Sequence, residues 1–422
     1  MSQLPRAFEP SVSWLERRFG WDRNFTLGVL NGWFVFAGDG FMNASIVLSS
    51  FAAALGAPNV VIGLLPAIQT GGWMLPQILV ASRIRHIPRK ITVYRGASGI
   101  RFTSQLAIVL ATLLFPNNPT LLLWTFLLAL TASAIASGVS GLPWLEVAAK
   151  VVPAKRRPVF FAIRNLYGGL LALGSGFAVR ALLGSSLVFP YDYAIIFAFA
   201  TVALSSGWWI YGFIDEPPDD PPQPQAHIAE ELRAIPETVT RNPDFAAFVL
   251  LRVTVSVAAL SDPFFTVYAL RQIGVTKAEV GTFVIVLGIV GPLSNAVWQR
   301  LAVRFGSRRT IRYALAFSIL APLTAILMPK GAGMLFALVF ACSGIANAGL
   351  NIANPNYLLG VAPAEARGRY IGTINTLVGV GLFMSVPAGR LVDWVGYQPV
   401  FALGACLYAV AWLLASRLKP GV

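Results

Sequence analysis

The chain predicts an all-α membrane protein: twelve transmembrane helices arranged as two pseudo-symmetric six-helix halves. Three observations carry that prediction. Of the 422 residues 56% are hydrophobic and only 12% charged, with mean hydropathy +0.68, where a soluble globular chain holds roughly 25% charge. The apolar residues gather in runs of about 20, the length a helix needs to cross the hydrocarbon. Stretches of the first half recur, in the same order, in the second.

The runs, separated by Gly/Pro or charged breaks, are 26–54, 58–81, 91–115, 120–143, 158–184, 191–213, 245–270, 278–299, 310–328, 332–358, 370–391 and 398–416. The first follows a tail (1–24) with Trp14, Arg17, Arg18 and Trp21. That tail lacks the short basic start of a secretory leader, so the run is expected to stay as span one. Of the 32 Lys and Arg, 23 fall on one side of such a topology, only Arg271, Lys277 and Lys330 on the other, and the rest within spans. Positive residues collect in cytoplasmic loops, so both termini are expected in the cytoplasm of a cell with this chain in its inner or plasma membrane. The net charge of +14 would point to a polyanion in a soluble protein, but here it records topology, and no nucleic-acid partner is expected.

Cys342 and Cys406 lie in apolar runs, and His86 and His227 lie between spans. No metal spacing, disulfide framework or catalytic His/Cys cluster emerges, so neither a metal, a cofactor nor an enzyme is expected. No Gly-x-x-x-x-Gly-Lys-Ser/Thr loop for ATP is present. Between spans six and seven the run Asp215-Glu-Pro-Pro-Asp-Asp-Pro-Pro-Gln-Pro-Gln225 is too polar to bury a core and reads as a semi-stiff tether. It divides the chain into 1–214, a linker 215–243, and 244–422.

The halves repeat. At an offset of 218, Arg23-Asn24 matches Arg241-Asn242, Gly56 matches Gly274 and Gly63 matches Gly281. Arg85…Arg89-Lys90 after span two corresponds to Arg304…Arg308-Arg309 after span eight, and Pro153-Ala-Lys-Arg-Arg157 to Pro363-Ala-Glu-Ala-Arg367. Parallel six-span repeats are a known transporter layout.

Taken with Gly389-Arg-Leu-Val-Asp393-Trp-Val-Gly396 and Leu301-Ala302-Val303-Arg304-Phe305-Gly306-Ser307-Arg308-Arg309, the chain resembles the major facilitator superfamily over nearly its whole length. The resemblance implies a secondary active transporter of a small solute working by rocker-switch alternating access, with protons as the candidate coupling ion, acting as a monomer in the lipid bilayer. The loop departs from the family pattern, with Gln299 and Val303 where the signature has Gly and Asp. That departure favours an alternative, a transport-inactive membrane binding or assembly protein on the same fold. No sugar-porter or drug-antiporter signature narrows the substrate.

Polar groups inside spans are costly unless they face a cavity or a partner helix. Ser133, Ser137 and Ser140 in span four, and Asn347, Asn351 and Asn354 in span ten, each recur at i, i+4, i+7, one helix face. The two sets correspond at an offset of 214; they are expected to line a central cavity or, alternatively, to pack helices together. Asn43, Gln69, Trp73, Arg101 and Arg252 complete the expected lining. Either arginine would bind an anionic solute or pair with an acid such as Asp39. Asp39 and Asp262 are the coupling candidates, since an acid in a span costs about 2.5–3.5 kcal/mol; Asp262, before Pro263, would otherwise cap a broken helix. Arg95 and Arg164 are expected nearer the cytoplasmic face. Arg85, Arg89, Glu146, Arg304, Arg308 and Arg367 form the expected cytoplasmic gate, with Glu146 pairing to Arg83, Arg85 or Arg89.

Overall fold

A computed structural model of the chain describes residues 20–84, 86–219, 228–363 and 366–420. Those residues form helices and loops, with no strand among them. Ten helices are long and apolar enough to cross a membrane: α1 (Arg23–Ala54), α3 (Ile91–Leu114), α4 (Pro119–Val151), α5 (Ala154–Leu183), α6 (Tyr191–Gly212), α8 (Pro243–Ile273), α9 (Lys277–Leu327), α10 (Gly333–Val361), α11 (Arg367–Val395) and α12 (Tyr397–Arg417). Between them lie α2, a chain of short helical segments over 59–84, and the linker helix α7 (Ile228–Thr240). Every predicted span therefore falls on helix. Two of them, 278–299 and 310–328, sit on the single element α9, whose arms meet at Gly306 with φ 78° and ψ 168°, a conformation only glycine adopts without strain. The fourth predicted span stops at Pro143, yet α4 runs on to Val151. One lost backbone bond at a buried proline does not end a helix whose other bonds have no competing water.

The starts are set by local chemistry. Asp22 accepts from Phe25 N (2.8 Å) at the head of α1, and Asn242 from Phe245 N (3.1 Å) at the head of α8. Asn118 followed by Pro119 opens α4, and Thr276 with Glu279 forms a capping box for α9. The outer surface carries large apolar side chains such as Leu128 and Leu327, which are exposed without a protein partner and suit lipid.

Helices α1–α6 form one bundle and α8–α12 another, joined along two seams: α5 packs on the first arm of α9, and α2 on α11. Gly63 and Gly281, matched in the repeat, sit at these seams. A methyl on Gly63 would strike the Ser385 backbone oxygen, and one on Gly281 the Arg180 backbone. The other matched pair, Gly56 and Gly274, both have left-handed backbones, φ 77° and 84°. The main apolar core lies at the bundle end away from the linker and spans both halves, from Phe51 with Phe126 (5.1 Å), Tyr193 (5.2 Å) and Phe197 (5.0 Å) to Tyr268 with Phe401 (5.2 Å).

Candidate functional site: a polar cavity in the first half

A cavity of about 550 Å³ opens between α1 and α6. Its walls begin with two irregular helices. In α1 the helix stops at Phe41, and Asn43 adopts an extended backbone and caps a π turn (Ala44–Leu48) by accepting from Ile46 N (3.0 Å). In α2 a π turn (Ala67–Gly71) carries Gln69, whose Nε2 donates to Met42 O (2.8 Å) and so satisfies a carbonyl freed by the break in α1. Such π turns widen a helix locally and turn side chains out of register. Asp39, one turn before the break, is exposed on the cavity wall.

From α3, Arg101 is 5% exposed. Its Nη2 donates to Ser98 Oγ (2.8 Å), and its guanidinium lies over the rings of Trp208 (4.3 Å) and Tyr94 (5.0 Å). From α5, Arg164 reaches in over Trp144 (4.8 Å) and Phe36 (5.3 Å), past Gly32, where any side chain would collide with its stem. The Nε of each arginine is buried with no hydrogen-bond partner. Removing a guanidinium from water costs several kcal/mol, and a ring face returns only about 0.5–2 kcal/mol. The aromatic cushions therefore offset part of the cost, and the rest falls to Asp39, which lies within coulombic reach of both, and to whatever enters the cavity.

The remaining wall combines hydrogen-bonding groups with rings. Gln105 Nε2 donates to Ser133 Oγ (3.4 Å), Ser140 Oγ donates to Ser137 O (2.9 Å), and Trp73 is 39% exposed. Asn31 is fully used: it donates to Gly207 O (2.9 Å) and Tyr94 OH (3.4 Å) and accepts from Trp144 Nε1 (3.1 Å), tying four helices together beneath the cavity.

Of the sequence-predicted residues the structure brings together Asp39, Asn43, Gln69, Trp73, Arg101, Ser133, Ser137 and Ser140 in this cavity. Arg164, expected near the face, joins them, because seven residues of helix beyond Arg157 carry it about 10 Å inward. Asn347, Asn351, Asn354, Arg252 and Asp262 do not line it. Asn347 and Asn351 are exposed and Asn354 is buried. Nine residues separate exposed Leu338 from Asn347, half a turn on the wheel, so the asparagine stripe lies opposite the apolar face of α10. Shared spacing placed the two stripes on equivalent faces but could not say which half would hold the hollow. Asp262 follows a 3₁₀ turn (Ala259–Ser261) and is tied to Ser261 Oγ (3.4 Å) and to the Tyr408 hydroxyl on α12.

The expected gate residues are dispersed. Glu146 approaches Lys90 (4.0 Å) rather than Arg83 or Arg89, and Arg85 lies outside the described residues. The reason is the linker: Lys150 binds Glu216 (2.6 Å) and Asp219 (2.8 Å), Lys90 also binds Asp219, and Glu216 accepts from Ile91 N (2.7 Å). Arg304 and Arg309 flank Phe305, Arg308 donates to Ser416 O (2.5 Å), and Arg367 is exposed at the head of α11.

Ties between the halves concentrate at the end away from the linker. Asn59 Nδ2 donates to Asp393 Oδ1 (2.7 Å), Arg271 Nη1 donates to Asn59 Oδ1 (3.3 Å) and Tyr397 OH (3.2 Å), Thr266 Oγ1 donates to Ser45 O (2.6 Å), and Ser385 Oγ donates to Gly63 O (2.7 Å). Toward the linker end, Asn375 Nδ2 donates to Gln77 Oε1 (2.9 Å).

The chain thus pairs two apolar helix bundles, the first of which holds a polar, charged hollow. The model of the Major Facilitator Superfamily matches residues 28–385, and the chain belongs to that family. It is thus a membrane solute transporter by family, not an enzyme. No curated protein matches it. Among solved structures it is similar to a point mutant of the nucleoside transporter NupG, with 12% identity, TM-score 0.71, and coverage of 94% of this chain and 100% of the other. It is similar to a POT family transporter in complex with 5-aminolevulinic acid, with 12% identity, TM-score 0.72, and coverage of 94% and 96%. A bacterial homologue of the iron transporter ferroportin gives TM-score 0.71 in its inward-facing state (13% identity, coverage 94% and 98%) and 0.58 in its outward-facing state (12% identity, coverage 94% and 99%). These identities establish the fold alone.

Proposed function

We propose that the chain carries a small solute across a cell membrane by alternating access, with the cavity of α1–α6 as the binding site and Asp39 as the proton-coupling residue. The observation that carries this is the pairing of a charged 550 Å³ cavity with halves whose hydrogen bonds to each other, among the described residues, concentrate at one end. Asn59, Asp393, Arg271 and Tyr397 close the end away from the linker, and the better superposition on an inward-facing than on an outward-facing relative supports a linker side turned to the cytoplasm. Rocking of one bundle on the other about the α2–α11 and α5–α9 seams would part that network and expose the cavity to the other side.

Asp39 lies within coulombic reach of Arg101 and Arg164, and among the described residues no other acid lines the cavity. The proton affinity of a carboxylate within reach of two arginines depends on how a solute engages them, which links solute and proton movement. Purified protein in proteoliposomes, screened with a solute library, is the test. Uptake that responds to a pH gradient in the wild type and loses that response in Asp39→Asn is expected; an unchanged pH dependence removes Asp39 from coupling. Solute binding without uptake selects the binding-protein reading, which is favoured by Val303, 90% exposed where the family signature has an acid.

A further inference from the structure

We infer that the solute is an organic monocarboxylate, its anionic group held between Arg101 and Arg164. The inference rests on the reading of this cavity as the transport site. Two of its observations are independent of each other. First, both guanidiniums are under-satisfied: each leaves Nε buried and unpartnered, although the surrounding helices supply hydroxyls, amides and carbonyls. Both side chains line the cavity with donor capacity that the protein leaves unused, and a carboxylate, which a guanidinium binds in fork-to-fork fashion, is the ligand that takes it up once the side chain turns toward it.

Second, the charged groups on the wall are Arg101, Arg164 and Asp39, which leaves one positive charge in excess. A monocarboxylate cancels it. A phosphate monoester, at close to two charges, overshoots, a cation is repelled, and a neutral solute leaves the excess uncompensated. The rest of the wall, the exposed face of Trp73 with Gln69 and Ser137, suits a ring-bearing body, and the volume suits a molecule of ordinary metabolite size.

Both arginines lean on rings, where the planar guanidinium stacks and a lysine ammonium would not.

The test uses the full-length protein in detergent and four matched probes: benzoate, benzamide, benzylamine and phenyl phosphate. Tryptophan fluorescence and thermal shift report binding. Benzoate is expected to bind at least about tenfold more tightly than benzamide, and Arg101→Gln or Arg164→Gln is expected to erase that preference, a tenfold or greater loss for benzoate with benzamide unchanged. Arg101→Lys, which keeps the charge and loses the fork, should weaken benzoate less; it serves as the measurement if the Gln variants fail to fold. Equal binding of benzoate and benzamide, tighter binding of phenyl phosphate, failure of all four to bind, or benzoate affinity indifferent to both arginines overturns the inference. Uptake is scored separately: benzoate bound through the arginines but never carried overturns the transport reading and leaves this one standing. Uptake of benzamide or benzylamine with benzoate refused does the reverse.

Discussion

Gly63 and Gly281 show how much a single hydrogen atom decides. Each lies where a helix of one half meets backbone of the other, so any side chain forces the seam apart. Gly63→Val and Gly281→Val are expected to destabilise the protein by about 1–3 kcal/mol through overpacking, seen as a lower unfolding temperature in detergent. Gly96→Ala, with nothing within 4 Å of the added methyl, should not; a Gly281→Val protein as stable as wild type would mean the seam yields. The repeat marks both glycines in the sequence, because a residue needed for close approach is needed twice in a two-fold design. Arg164 carries no such mark. Its place in the cavity depends on Gly32 making room from a different helix, and no spacing along one chain segment encodes that.

The helical character of the apolar runs and their order were legible, while their interruptions were not. Apolar length identifies a membrane helix because backbone groups in lipid must be satisfied internally. The π turns of α1 and α2 depend instead on Gln69 reaching Met42 O across two helices. The linker reads in sequence as an acidic tether, and its first residues prove to be a strap. Glu216 has a fully buried side chain bonded to Lys150 and to Ile91 N, and Asp219 bridges Lys150 and Lys90. Glu216→Ala is expected to cost about 1–3 kcal/mol, since it strands the buried Ile91 N–H and removes one of two acids from Lys150, and to speed hydrogen exchange at the Asp215 and Asp219 amides. Burial pushes the Asp219 carboxyl up, but hydrogen bonds from Lys150 and Lys90 outweigh it and hold the group below the usual carboxylate range. A depressed folded pKa stabilises above the unfolded value of about 3.9 and is lost as pH falls through the folded one. Protection of the Asp215 and Asp219 amides should therefore hold steady from about pH 7 to 5 and fall only below about pH 4; loss already at about pH 6 would assign the strap to other groups.

Across the whole molecule, closure is lopsided. The network of Asn59, Asp393, Arg271 and Tyr397 joins α2, α8, α11 and α12 at the end away from the linker. Cysteines replacing Asn59 and Asp393, in a background lacking Cys342 and Cys406, are expected to cross-link readily and to abolish uptake until reduced. Uptake surviving the cross-link would mean that these helices need not part. The degenerate loop at Val303, by contrast, lies at the opposite end, where the linker strap rather than the expected arginine gate engages the helix ends.

Composition, run length and internal repetition were enough to establish a two-part helical membrane protein, because lipid imposes apolar length and a duplicated fold imposes matched glycines. The same one-dimensional pattern gave the serine and asparagine stripes equal standing. Packing separated them: Ser133, Ser137 and Ser140 face the hollow shared with Asp39 and Arg101, while the asparagine counterparts line no part of it. Periodicity fixes which side chains share a face of a helix, but what that face meets is set by neighbours distant in the chain.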